Sequence, residues 1–108
     1  MAEESPSRRV LAVVLEHLDA AGLDYVVIGV TAAALQGAPL LTEDIDVMVR
    51  DTPVTERKIR AFANRAAMAL SRPAEPWGSV IRATSADAIV DFVFSLSSGR
   101  TFESIRSR

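Results

Sequence analysis

The sequence predicts an α/β fold of the α+β kind: a mixed sheet of about four strands, with helices packed mainly on one face. Three observations carry that expectation. Apolar residues recur at helical spacing in one stretch (Leu11, Val14, Leu15, Leu18) and at strand alternation in another (Ile45, Val47, Val49). Helix-like and strand-like segments interleave along the chain. A length of 108 residues allows one domain with its own core and not two.

Composition narrows the function classes. With 49% hydrophobic and 24% charged residues, the chain does not carry a disorder signature. The absence of Cys excludes a disulfide framework, a thiolate metal site and a cysteine nucleophile. A net charge of -2 argues against a protein that holds nucleic acid mainly by basic charge. The first apolar run is broken by Glu16 and His17, too early for a leader or a membrane span. The expectation is a soluble, cytoplasmic protein with no membrane partner. Its mean hydropathy of +0.20 is high for so short a domain, and this predicts apolar surface that a partner or a homo-oligomer covers.

Residues 1–6 read as a flexible tail and 7–108 as a single domain. Ser7 to about Ala21 forms the first helix, stopped by Gly22. Tyr25 to Val30 is a β-branched run with apolar neighbours on both sides, which predicts a central strand covered on both faces. Thr31 to Gln36 is Ala-rich and predicts a short helix closed by Gly37; a loop through Pro39 follows. Asp44 to Val49 alternates, placing Ile45, Val47 and Val49 on one face and Asp44, Asp46 and Met48 on the other. Thr52-Pro53 opens a helix whose stripe is Ile59, Phe62, Ala63, Ala66 and Leu70. Gly78 to Ala83 and Ala88 to Ser95 are two strands joined by the polar turn Thr84 to Asp87. Thr101 to Arg106 begins a last helix. His17, the only His, reads as a surface residue beside Glu16.

Chemistry concentrates in Asp44-Ile45-Asp46. Residues i and i+2 of a strand point to the same side, so these carboxylates stand roughly 6–7 Å apart at their Cα atoms. Hard divalent cations take such oxygen ligands, and two acids forced together favour a cation between them. A third acid, Asp91, lies in the apolar run Ile89 to Phe94, where an Asp is costly to bury alone. Projecting toward Asp44 and Asp46 from a neighbouring strand, it would complete a two-metal site for phosphoryl or nucleotidyl transfer. Upstream, Gly29-Val30-Thr31 marks a strand that turns into a helix. Such a turn lets a phosphate approach the backbone and meet amide donors.

The combination of Gly29-Val30-Thr31-Ala32 with Thr42-Glu43-Asp44-Ile45-Asp46 resembles the nucleotidyltransferase superfamily of DNA polymerase beta type. More narrowly it is similar to the minimal nucleotidyltransferase domains of the AbiEii abortive-infection toxin family. The resemblance spans residues 8–106. It implies Asp44, Asp46 and Asp91 as catalytic and metal-binding residues, Gly29, Val30 and Thr31 as nucleotide-binding residues, and Mg²⁺ or Mn²⁺ as cofactor. It further implies transfer of a nucleotide from a nucleoside triphosphate to an RNA or protein hydroxyl, in a toxin–antitoxin or abortive-infection setting with a cognate partner protein.

Two positions depart from the family pattern. Val30 stands where the family has a second Gly or Ser, and the apolar pair Leu40-Leu41 replaces a loop Arg. The family also continues with further strands and helices, so residues 7–108 read as a minimal or C-terminally truncated form. A degenerate, non-catalytic binding or antitoxin module acting through protein contacts is the alternative expectation.

Overall fold

The computed structural model describes residues 6–29, 44–73, 80–95 and 99–106. Helix α1 spans Pro6–Ala20, strand β1 Val26–Ile28, strand β2 Asp44–Met48 and helix α2 Pro53–Ala66. Strands β3 (Ala69–Ser71), β4 (Val80–Thr84) and β5 (Ile89–Val93) follow, and helix α3 (Phe102–Arg106) comes last. The strands form one five-stranded mixed sheet in the order β1-β2-β5-β4-β3. Only β2 and β5 pair in parallel; the other neighbours are antiparallel. This is the expected α+β architecture with one strand more than the sequence predicts.

α1 buries Leu11, Val14 and Leu18, its helically spaced positions. It ends in a Schellman turn. Gly22 at φ +76 donates to the Asp19 carbonyl, and the Leu23 amide returns to that of Leu18. The Lys58 ammonium of α2 donates to the Gly22 carbonyl at 2.9 Å and ties the two helices there. Just beyond the turn, the Tyr25 hydroxyl donates to Asp19 Oδ1 at 2.9 Å. Burial first, then the hydrogen bond to Asp19 and its negative charge, push this phenol up to about 12.

α2 starts as Thr52-Pro53 implies. The Thr52 hydroxyl accepts from the Thr55 amide at 3.1 Å, and Pro53 occupies the first turn, where its missing N–H costs nothing. Its inner face carries Thr55, Ile59, Phe62 and Ala63. Phe62 meets Phe92 of β5 edge to face, with ring centroids 5.4 Å apart. The β2 alternation holds: Ile45, Val47 and Val49 are buried in the same cluster as Leu18, Ile59, Val90 and Phe92. α1 and α2 therefore cover one sheet face. α3 lies near β1, where the Arg50 guanidinium sits 4.4 Å from the Phe102 ring centroid and pairs with Asp24 and Glu103.

Two expectations need correction. The second helix does not reach Leu70. It stops at Ala66, Ala67 takes the left-handed conformation at φ 56, and Leu70 lies exposed on β3. Second, β1 is not central. Among the described residues it ends the sheet, and its residues are half-buried because only Val27 alternates toward the core cluster. His17, expected at the surface, is partly exposed and lines a shallow groove with Val13, Met68 and Asp87. Of the expected tail at 1–6, Pro6 begins α1 and 1–5 lie outside the described residues, as do the short helix at 31–36, the loop at 38–42, Val30 and Thr31. Among the described residues no helix is long and apolar enough to cross a membrane.

Candidate functional site

The sheet face away from α1 and α2 carries the acids. Residues that alternate with the core positions point there: Asp44, Asp46 and Met48 on β2, Ile89, Asp91 and Val93 on β5, and Val80, Arg82 and Thr84 on β4. Register then sets which of them meet. Asp46 pairs with Ile28 on one side and with Asp91 on the other. Asp91 pairs in turn with Arg82, and Arg82 with Ser71. One row across the sheet therefore reads Ile28, Asp46, Asp91, Arg82, Ser71.

Strand neighbours lie about 4.8 Å apart in the hydrogen-bonding direction, so Asp46 and Asp91 stand side by side. Their mutual effect is visible at Asp46. Burial raises its carboxyl above the usual carboxylate range, the charges of Asp91 and Asp44 raise it further, and Arg82 pulls it back. Gly29 closes the end of β1 at φ +67, and a side-chain carbon built there would stand 3.6 Å from Asp46 Oδ2. Gly29, Asp44, Asp46 and Asp91 are thus gathered at one place. Asp44, exposed at the start of β2, also borders a shallow depression formed by Thr84, Ser85 and Ala88 at the β4–β5 turn. That turn is fixed by Ser85, whose hydroxyl accepts from the Asp87 and Ala88 amides at 3.2 Å each.

Arg82 is the residue the sequence did not reveal. Its Nε donates to Asp91 Oδ1 at 2.8 Å and its Nη2 to Oδ2 at 3.1 Å, a two-pronged carboxylate–guanidinium fork. The Asp91 side chain is 16% exposed and that of Arg82 35%. The expense of an acid in an apolar strand is thereby offset within the fold. In the sequence Arg82 stands alternate to Ile81 and Ala83 on a predicted strand, which gives its face but not its partner.

Oxygen donors with surplus negative charge suit a hard cation, and Asp44 and Asp46 fit this chemistry. Among the described residues, however, no three acidic or His side chains converge at ligating geometry, and both Asp91 oxygens accept from Arg82. Asp91 fits a cation only on leaving that fork. The larger depression between α2 and β3–β4 is a poorer candidate, because Glu56, its one acid among the described residues, is paired with Arg72. Comparison with protein-family models, with curated proteins and with solved structures finds no match.

Proposed function

We propose that the acidic sheet face is the site of a metal-dependent nucleotidyltransferase, which moves a nucleoside monophosphate from a nucleoside triphosphate to an RNA or protein hydroxyl. The observation that supports this reading most is the Asp46–Asp91 register pairing on adjacent strands, with Asp44 two residues upstream and Gly29 against Asp46. The resemblance of the Gly29 turn and the Asp-x-Asp strand to the AbiEii-like domains supports it independently, and adds the toxin–antitoxin or abortive-infection setting and a cytoplasmic location.

Asp44 and Asp46 would hold Mg²⁺ or Mn²⁺, and Asp91 would join them. Such an ion, when bound, neutralises triphosphate charge and eases ionisation of the acceptor hydroxyl. The chain's own residues do the rest. Gly29, which has no Cβ beside Asp46, would let a phosphate approach its backbone. By the same resemblance, Val30 and Thr31 would bind the nucleotide. Asp91 accepts the proton of the acceptor hydroxyl as its oxygen bonds to the α-phosphorus. The α–β phosphoanhydride bond breaks and pyrophosphate leaves.

A transfer assay tests this: labelled nucleoside triphosphates, Mg²⁺ or Mn²⁺, and total RNA or lysate as acceptor. Label should move onto RNA or protein, and Asp46→Asn should reduce transfer by about 100-fold or more. Equal labelling by the variant contradicts the assignment.

The Arg82–Asp91 fork favours a second reading. An acid held in an ion pair is also what a non-catalytic module of this fold would retain for structure alone. Such a module would act through protein contacts, with a cognate partner or a second copy. It would bind no nucleotide in the presence of metal, and a co-purifying protein or stable dimer would accompany it.

A further inference from the structure

We propose that the outer face of α2 is a docking surface for the sugar–phosphate backbone of duplex RNA, held by Arg57, Arg60 and Arg65. The choice of RNA rests on the RNA acceptor in the reading above; the cationic face stands on its own observations.

Charge is segregated on this helix. α2 carries four bases and one acid, within a chain whose net charge is -2. The acid, Glu56, is taken by Arg72, and Lys58 donates to the Gly22 carbonyl rather than to a carboxylate. Arg57, Arg60 and Arg65 lie exposed, and among the described residues none of the three pairs with an acid. Arg57 and Arg60 stand one turn apart, where like charges oppose the helix. Arg65 suits the helix C-terminus, but Arg57 and Arg60 gain no such support from the fold. Arg60 also lines the depression between α2 and β3–β4, together with Ser71 and Arg72, so the cationic surface runs on past the helix.

The make-up of the face selects the occupant. Beyond its first turn, the exposed side of α2 consists of Arg57, Arg60, Ala61, Asn64 and Arg65. A protein partner takes most of its binding energy from aromatic and large apolar anchors, and none stands among these five. Single strands stack their bases on aromatic rings, which this face does not offer either. Guanidinium groups with one small and one polar residue between them fit a phosphate backbone, which needs planar donor forks and close approach. Along the axis Arg57 to Arg65 covers about 12 Å, enough for several phosphates of one duplex. The acids of the candidate site lie on the other face of the sheet, so they do not confront an RNA on α2.

Fluorescence anisotropy with a labelled RNA duplex of about 20 base pairs tests this, in EDTA and without nucleotide. Three phosphate contacts predict that log K falls against log salt with a slope of about -3. Arg57→Gln, Arg60→Gln and Arg65→Gln should each weaken binding about three- to tenfold at about 50 mM salt and make the slope shallower by about 1. Arg100→Gln, which removes the same charge from an exposed site outside α2, should change neither. All four sites are exposed, so the variants keep the fold. No binding at that salt, or α2 variants that bind like the parent, overturns the proposal. So does equal weakening by Arg100→Gln, or tighter binding of a DNA duplex or of an acidic peptide. With no cation or nucleotide present in the binding assay, failed transfer alongside intact RNA binding contradicts only the metal-dependent reading. Intact transfer alongside absent RNA binding contradicts only the docking surface.

Discussion

Asp46 and Asp91 are register partners on two adjacent parallel strands, and the charge of Asp91 raises the carboxyl of Asp46 above its ordinary range. Arg82 offsets this crowding through its fork on Asp91 and through its charge, which pulls the Asp46 carboxyl back down. A sheet built for stability alone would gain from an apolar residue at 46, next to Ile28 and in line with Met48. The pairing therefore marks a place where charge is kept against the interest of folding.

This has a pH signature. A carboxyl raised in the fold binds its proton more tightly there than in the unfolded chain. Its contribution to stability is fully present below the ordinary carboxylate range and is lost as pH rises through the raised value. Asn at 46 is neutral throughout and escapes that loss. Asp46→Asn should therefore melt higher than the parent at neutral pH, and the gap should close near about pH 4. Thermal melts at the two pH values check this, and a lower melting temperature for the variant at neutral pH contradicts it.

The Arg82–Asp91 pair should show coupling in a double-mutant cycle. Because both side chains are partly exposed, the expected coupling is about 1–2 kcal/mol, between a surface pair and a fully buried one. Denaturant unfolding of Arg82→Ala, Asp91→Ala and the double variant measures it. Strict additivity would mean that the fork contributes nothing to the fold.

Ala67 holds φ 56, and its amide and that of Met68 close the end of α2 on the Asn64 and Ala63 carbonyls. A residue with a Cβ is strained there and Gly is not. Ala67→Gly should stabilise by about 0.5–1 kcal/mol, and Ala67→Val should destabilise. Urea midpoints read both. The reverse substitution, Gly29→Ala, meets Asp46 Oδ2 at an ordinary 3.6 Å among the described residues, but it meets the same backbone strain at φ +67.

That same Ala67 explains what the sequence concealed. Ala66, Ala67, Met68, Ala69 and Leu70 are all acceptable in a helix, and Leu70 continues the spacing of Ile59, Phe62 and Ala66. No Gly or Pro announces the stop, so the helix reads on through β3. By contrast β2 was legible because period-two alternation admits one arrangement, and Thr52-Pro53 and Gly22 mark their helix ends by local chemistry. The acids and Gly29 were legible as residues for the same reason. The fork was not, because which residue of β4 opposes Asp91 depends on the β4–β5 register, and no local pattern states it. The edge position of β1 was hidden likewise, since an apolar run looks alike at the centre of a sheet and beside a half-covered edge.

Burial sets the cost of truncation on the two sides of this break. Leu70 is 37% exposed and Phe62 is fully buried against Phe92. Leu70→Ala should cost under about 1 kcal/mol and Phe62→Ala about 3–5 kcal/mol. Comparable losses from the two would restore Leu70 to the helix stripe.

The central claim is that the acids of this sheet face gather around a divalent cation that serves a nucleotide. A crystal soaked with Mn²⁺ and a non-hydrolysable nucleoside triphosphate tests it most directly, by anomalous diffraction at the manganese edge. The expected map has a peak bounded by Asp44, Asp46 and Asp91. A map with no peak there at saturating Mn²⁺ and nucleotide contradicts it.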